Sequence, residues 1–180
     1  MQASFWECIR LAYKAAFTES RRRHFLTWPP TGGFEPGDLA YATGSINECF
    51  KELLQDRGYQ LVPEEESYGS HKGRYCLVLR QLRGDRYLVC YLTTFGGAKD
   101  FHEISSPLGR YFALPIGLHD RYPGIPSLRT WPPWTPEAFV IGIPVARDGL
   151  KRSNLPARFR LFPSELERAK QLIQDKLEVS

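Results

Sequence analysis

Two β-rich runs, Tyr75-Cys76-Leu77-Val78-Leu79 and Tyr87-Leu88-Val89-Cys90-Tyr91-Leu92, flank the segment Arg80-Gln81-Leu82-Arg83-Gly84-Asp85-Arg86. Runs of this composition read as strands, and Gly-Asp between them signals a hairpin. With Gly84 and Asp85 as a two-residue turn, Cys76 faces Thr93 and Arg74 faces Phe95. Side chains alternate faces along a strand, so Arg74 and Thr93 then share a face as diagonal neighbours. Such neighbours lie about 7–8 Å apart, within reach of an arginine. A guanidinium beside a hydroxyl at the open end of a hairpin can hold a phosphate: the fork neutralises charge and the hydroxyl adds a hydrogen bond. A three-residue turn would shift this register.

Around the hairpin, periodicity predicts three helices. Ala3 to Phe17 repeats apolar residues at spacings of three and four. A second helix opens after Gly44-Ser45 with an apolar face of Ile46, Cys49, Phe50, Leu53 and Leu54, and Gly58 is a plausible stop. A third follows Pro163, with Ser164 as N-cap, Glu167 completing a capping box, and Leu166, Ala169, Leu172, Ile173 and Leu177 as its buried stripe. Further strands are expected at Leu39 to Ala42, Tyr111 to Leu114, Ala138 to Val145 and Arg158 to Phe162. Glu64 to Gly73 reads as a polar loop with solvated glutamates, and Asp38 beside Gly37 as turn chemistry. The strands are joined by turns rather than helical crossovers. That predicts an α+β fold: a small, mainly antiparallel β-barrel with N-terminal and C-terminal helices and an inserted helix. A single domain spans 1–180: helix and linker over 1–33, barrel over 36–162 with the inserted helix at 45–57 and a proline-rich segment at 105–136, and the closing helix over 163–178.

Composition bounds the function class. The chain has 180 residues, 42% hydrophobic and 24% charged, which is globular. No apolar stretch reaches the length of a membrane span, and Glu7, Arg10 and Lys14 interrupt the first helix, so no secretory signal is read. Net charge is +4, with 17 Arg and 7 Lys, which permits an anionic partner without demanding one. Arg21-Arg22-Arg23-His24 reads as a solvated face, with a phosphate contact as the alternative. Cys8, Cys49, Cys76 and Cys90 are widely spaced with no C-x-x-C, so zinc is disfavoured and reduced thiols in a cytoplasmic or nuclear protein are expected. No P-loop, G-x-S-x-G or H-E-x-x-H is present, so nucleotide hydrolysis, a serine hydrolase and a zinc protease lack support.

Gly37-Asp38-Leu39-Ala40-Tyr41 resembles the first-strand opening of the PemK/MazF family of toxin endoribonucleases. Gly73-Arg74-Tyr75-Cys76-Leu77-Val78-Leu79 resembles that family's second strand, with Tyr75 in place of the usual proline. Leu88-Val89-Cys90-Tyr91-Leu92-Thr93-Thr94 resembles its third, which ends in Thr or Ser. The resemblance covers roughly Pro36 to Thr94. It implies an SH3-like barrel, a homodimer, and metal-free cleavage of single-stranded RNA by attack of the 2′-hydroxyl, with no cofactor. The family's Arg and Thr/Ser fall on Arg74 and Thr93, with Thr94 as alternate. About 30 residues separate the first strand from Arg74, more than the family usually carries. The proline-rich segment and the N-terminal helix are likewise additional to the family's pattern.

Cleavage of this kind needs a base, an acid and a cation at the phosphorus centre. Arg74 would be the cation and Thr93 a hydrogen-bonding partner, while His71 adds acid/base capacity near neutral pH. Lys72, Arg80, Lys99 and His102 complete a candidate RNA-binding set, His102 also being a second acid/base candidate. The aromatic-proline clusters Trp28-Pro29-Pro30 and Trp131-Pro132-Pro133-Trp134 would pin loops onto a core, or else stack bases or bind a protein partner. Three functions remain in view: an RNA-binding or RNA-cleaving protein, a catalytically silent barrel serving as a protein-interaction module, and a small-molecule binder. The state of the barrel mouth, open and basic or sealed by the inserted segments, discriminates the first two.

Overall fold

A computed structural model describes residue 28 and residues 32–54, 58, 60–120, 123–152 and 157–179. The chain divides into two units, Met1–Gly33 and Phe34–Ser180, and every element named below lies in the second. The helix expected over Ala3 to Phe17, Cys8, the basic run Arg21 to His24 and residues 29–31 of the linker lie outside the described residues.

Strand β1 (Leu39–Gly44) leads into helix α1 (Ile46–Leu54), the short helix α2 (Pro63–Glu66) and a 3-10 turn (Ser67–Gly69). Strands β2 (Lys72–Gln81) and β3 (Tyr87–Thr93) follow, then helix α3 (Pro107–Phe112) and strand β4 (Ala113–Ile116). The chain continues through β5 (Thr130–Trp131), β6 (Ala138–Ile141), β7 (Val145–Arg147), β8 (Arg160–Leu161) and helix α4 (Pro163–Val179). The fold is α+β with antiparallel strand pairs. One six-stranded sheet runs β1-β2-β3-β6-β4 with β7 also on β3, and β5 pairs with β8 in a second sheet. Among the described residues no helix is long and apolar enough to cross a membrane.

The central strands are apolar on both faces because both faces are covered. Leu77, Leu79, Cys90 and Leu92 point into a core closed by Leu114 and Val140 and by Leu166, Ala169 and Ile173 of α4. Cys76, Val78, Val89 and Tyr91 are buried on the opposite face. The two sheets are also bridged through the backbone. Leu39 N–H donates to the Phe159 carbonyl and Leu161 N–H to the Gly37 carbonyl, each at 2.9 Å, and Leu128 N–H donates to the Pro115 carbonyl at 2.8 Å.

The hairpin forms, but its register differs from the expected one. Leu82 N–H donates to the Arg86 carbonyl at 2.8 Å, so the loop is Arg83-Gly84-Asp85, with Gly84 at φ +62. A bulge between Val78 and Arg80 shifts the pairing again. Cys76 therefore faces Tyr91 rather than Thr93. The β2–β3 ladder ends at that pair, so the expected pairing of Arg74 with Phe95 does not form.

Four other expectations are corrected. Ala138 to Val145 is two strands: Gly142-Ile143-Pro144 breaks it, β6 pairing with the end of β3 and β7 with its start. Tyr111 and Phe112 belong to α3 rather than to a strand, because Ser106 caps that helix by accepting from Gly109 N–H at 2.7 Å and Pro107 fits its first turn. Glu64 to Gly73 is not loop throughout but carries α2 and the 3-10 turn. The last helix starts at Pro163, which places Ser164 inside the first turn rather than at its cap.

One charge cluster ties the start of β1 to the approach to β8. Arg158 Nε donates to Asp38 Oδ1 at 2.8 Å, and its Nη2 donates to Asp38 Oδ2 at 2.9 Å and to Glu35 Oε2 at 2.8 Å. Arg160 Nη1 donates to Glu35 Oε2 at 2.6 Å. Burial pushes the Glu35 carboxyl up, but its bond to Arg158 and the charges of Arg160 and Arg158 outweigh that, and they hold it below the ordinary glutamate range near 4.5. A depressed carboxylate contributes stability that is present above its unfolded pKa and lost as pH falls through the folded one. Glu35→Gln is thus expected to be less stable than the parent near neutral pH, with the gap closing as pH drops below about 4.5. Urea melts of both chains across acid pH measure this, and a gap independent of pH would refute it.

Candidate functional site

The β2–β3 ladder runs from the Gln81–Tyr87 pair to Cys76–Tyr91. Both strands continue past its last pair, β2 back to Lys72 and β3 on to Thr93, which now pairs with β6. A hollow of about 400 Å³ lies where the ladder ends. Lys72, Arg74, Thr93 and Thr94 line it together with Tyr68, Tyr75 and Trp134.

Arg74 is 9% exposed. Its Nε donates to the Gly44 carbonyl at 3.3 Å, while its terminal nitrogens make no hydrogen bond and no carboxylate pairs with it among the described residues. Burial lowers the Arg74 pKa, yet a guanidinium keeps its charge at any ordinary pH. Its neighbours do not supply an anion. Burial drives the Cys49 thiol up to about 12, against the charge of Arg147. Burial also raises the Tyr91 phenol, against a hydrogen bond and the charge of Arg147. Both are neutral at pH 7. Arg74 is therefore a mostly buried cation without a counter-ion among the described residues, its terminal nitrogens still reached by solvent. Its fork matches a phosphate or carboxylate.

Gly44 sets this geometry from behind. A Cβ there would lie 2.0 Å from the Tyr91 hydroxyl, so only glycine admits the ring. That hydroxyl donates to the Thr43 carbonyl at 3.0 Å and accepts from Arg147 Nε at 2.8 Å, which leaves it no room to yield. The Gly44 carbonyl in turn receives Arg74.

The segment before β2 forms another wall. Glu65 is fully buried, not solvated as its acidic neighbours suggest. Its Oε1 accepts from Ser106 Oγ at 3.0 Å and Leu108 N–H at 2.9 Å, and its Oε2 from Val62 N–H at 3.2 Å. Glu64 and Glu66 remain exposed. On the other side Ser45 Oγ donates to the Tyr68 carbonyl at 3.2 Å. Tyr68 is thereby fixed between α1 and α3.

The remaining expected site residues stand elsewhere. His71 Nε2 lies 3.1 Å from Glu48 Oε1 on an exposed side chain and does not line the hollow. Arg80 is exposed beyond the bulge. Lys99 and His102 sit in an exposed loop closed on Glu103 and Asp100, each backbone N–H donating at 2.7 Å. Tyr68 and Tyr75 are among the lining residues that sequence reasoning did not select, although Tyr75 adjoins Arg74 in the chain. Of the aromatic-proline cluster, Trp134 is buried and lines the hollow, while Trp131 belongs to β5.

Gly44→Ala is expected to destabilise the chain by about 1–3 kcal/mol through overpacking against Tyr91. The shift of the urea midpoint measures it, and an unshifted midpoint would show that the Tyr91 ring can move.

Comparison with protein-family models, curated proteins and solved structures gives no match.

Proposed function

We propose that this chain binds single-stranded RNA in the hollow, with the Arg74 guanidinium on a phosphate. The observation that carries the reading is a nine-tenths-buried cation with no acidic partner among the described residues, lining a hollow together with Thr93 and Thr94. Lys72 adds a second cation at the rim, and the net charge of +4 favours approach of a polyanion. The resemblance to the PemK/MazF family points to the same two residues, Arg74 and Thr93. The backbone bridges from β1 to β8 and from β4 to Leu128 support reading the two sheets as a single SH3-like barrel with this hollow at one end.

Cleavage is the second reading, favoured by Arg74 and Thr93 lining the same hollow. The 2′-oxygen would bond to phosphorus while the 5′-oxygen leaves, the 2′ proton passing to a base and the 5′-oxygen taking one from an acid. Arg74 would offset the charge gathering on the phosphoryl oxygens. Among the described residues the lining holds no imidazole and no carboxylate, so no group of that kind is placed to exchange protons near neutral pH. Binding is for this reason the stronger reading.

Arg74→Ala is expected to weaken binding of a short single-stranded RNA at least tenfold, as loss of a charge-assisted contact does. Fluorescence anisotropy with end-labelled RNA measures it. Equal affinity in parent and variant would remove Arg74 from RNA binding, and no binding by the parent would favour the interaction module. The same samples incubated in EDTA and run on a denaturing gel test cleavage: fragments from the parent and none from Arg74→Ala would establish it.

A further inference from the structure

The hollow pairs its cation with aromatic walls that a phosphate alone does not require. Tyr75 and Tyr68 line it and are both half-buried. Tyr75 makes T-shaped contacts with Tyr41 and Trp134, ring centroids 5.5 and 5.1 Å apart, and Tyr68 makes one with Phe95 at 5.6 Å. Neither tyrosine stacks face to face on another ring, so the contacts that fix both rings are not parallel stacks. Trp134 also holds the one buried side-chain donor without a partner among the described residues, its indole Nε1. That nitrogen has no accessible surface, so Trp134 serves the hollow as a wall rather than as a donor.

Resting on the RNA-binding reading above, we propose that the hollow takes one unpaired nucleotide, its phosphate on Arg74 and its base against Tyr75 and Tyr68. A nucleobase brings a π face for the tyrosines. A hollow of about 400 Å³ has room for one nucleotide. Inside a duplex both faces of a base are covered by its neighbours, so only a splayed base can enter. The base should therefore contribute affinity separately from the phosphate.

The test uses the whole chain and three probes of equal length: single-stranded RNA, the same strand with its bases removed, and the duplex. The unaltered chain is expected to bind the abasic strand about tenfold more weakly than the intact strand, and the duplex more weakly still. Tyr75→Leu should lose that preference while keeping its affinity for the abasic strand, and Tyr75→Phe should retain the preference. Equal affinity of the unaltered chain for intact and abasic strands, with Arg74→Ala still weakening both, would overturn the nucleotide assignment and leave the RNA reading standing. Loss of affinity for both strands alike in Tyr75→Leu would also overturn it. No affinity for any of the three probes would sink both readings together.

Discussion

Asp38 and Arg158 are 120 residues apart in the chain and both out of water, at 0% and 1% exposure. Each charge alone would be far too costly to bury; paired through two hydrogen bonds, with Glu35 beside them, they are tolerable. The pair fixes the start of β1 against the segment entering β8. Asp38 does turn chemistry as well, since Oδ2 accepts from Glu35 N–H at 2.8 Å. With its start anchored, β1 keeps its register on β2 as far as the Gly44–Lys72 pair. There the Gly44 carbonyl meets Arg74, so a contact at one end of β1 positions a cation at the other.

The elements legible in the sequence are those whose signal is local. Helices α1 and α4 follow from apolar periodicity, and Leu166, Ala169 and Ile173 are buried as that pattern requires. The hairpin strands follow from their unbroken apolar runs. Register was not legible, because a bulge at Val78–Arg80 and a third loop residue each displace it, and neither has a compelling local signature. Some misses did have one. Ser106-Pro107 is a cap followed by proline, and Gly142 with Pro144 marks a break in the run from Ala138.

Glu65 shows why part of the site could not be read. In sequence it is the middle of three glutamates, which describes a solvated face. Its burial is decided by Ser106 and Leu108, 41 and 43 residues further on. Arg74 was legible as a strand residue beside a future hydroxyl partner. What gives it significance is the lack of a negative neighbour, which depends on Cys49 and Tyr91 being buried and neutral. Tyr68 reaches the hollow only because contacts from α1 and α3 hold its turn.

At the far end of the same hairpin, Gly84 projects into open space, with no atom near the position of an added side chain. The tip is exposed from Arg83 to Arg86. Between Gln81 and Arg74 the strand spans roughly 23 Å at the usual rise per residue. Exposed loop tips of this kind accept insertions. A short epitope or a reporter dye could be carried there, letting the protein be captured or followed while its opposite end stays unobstructed.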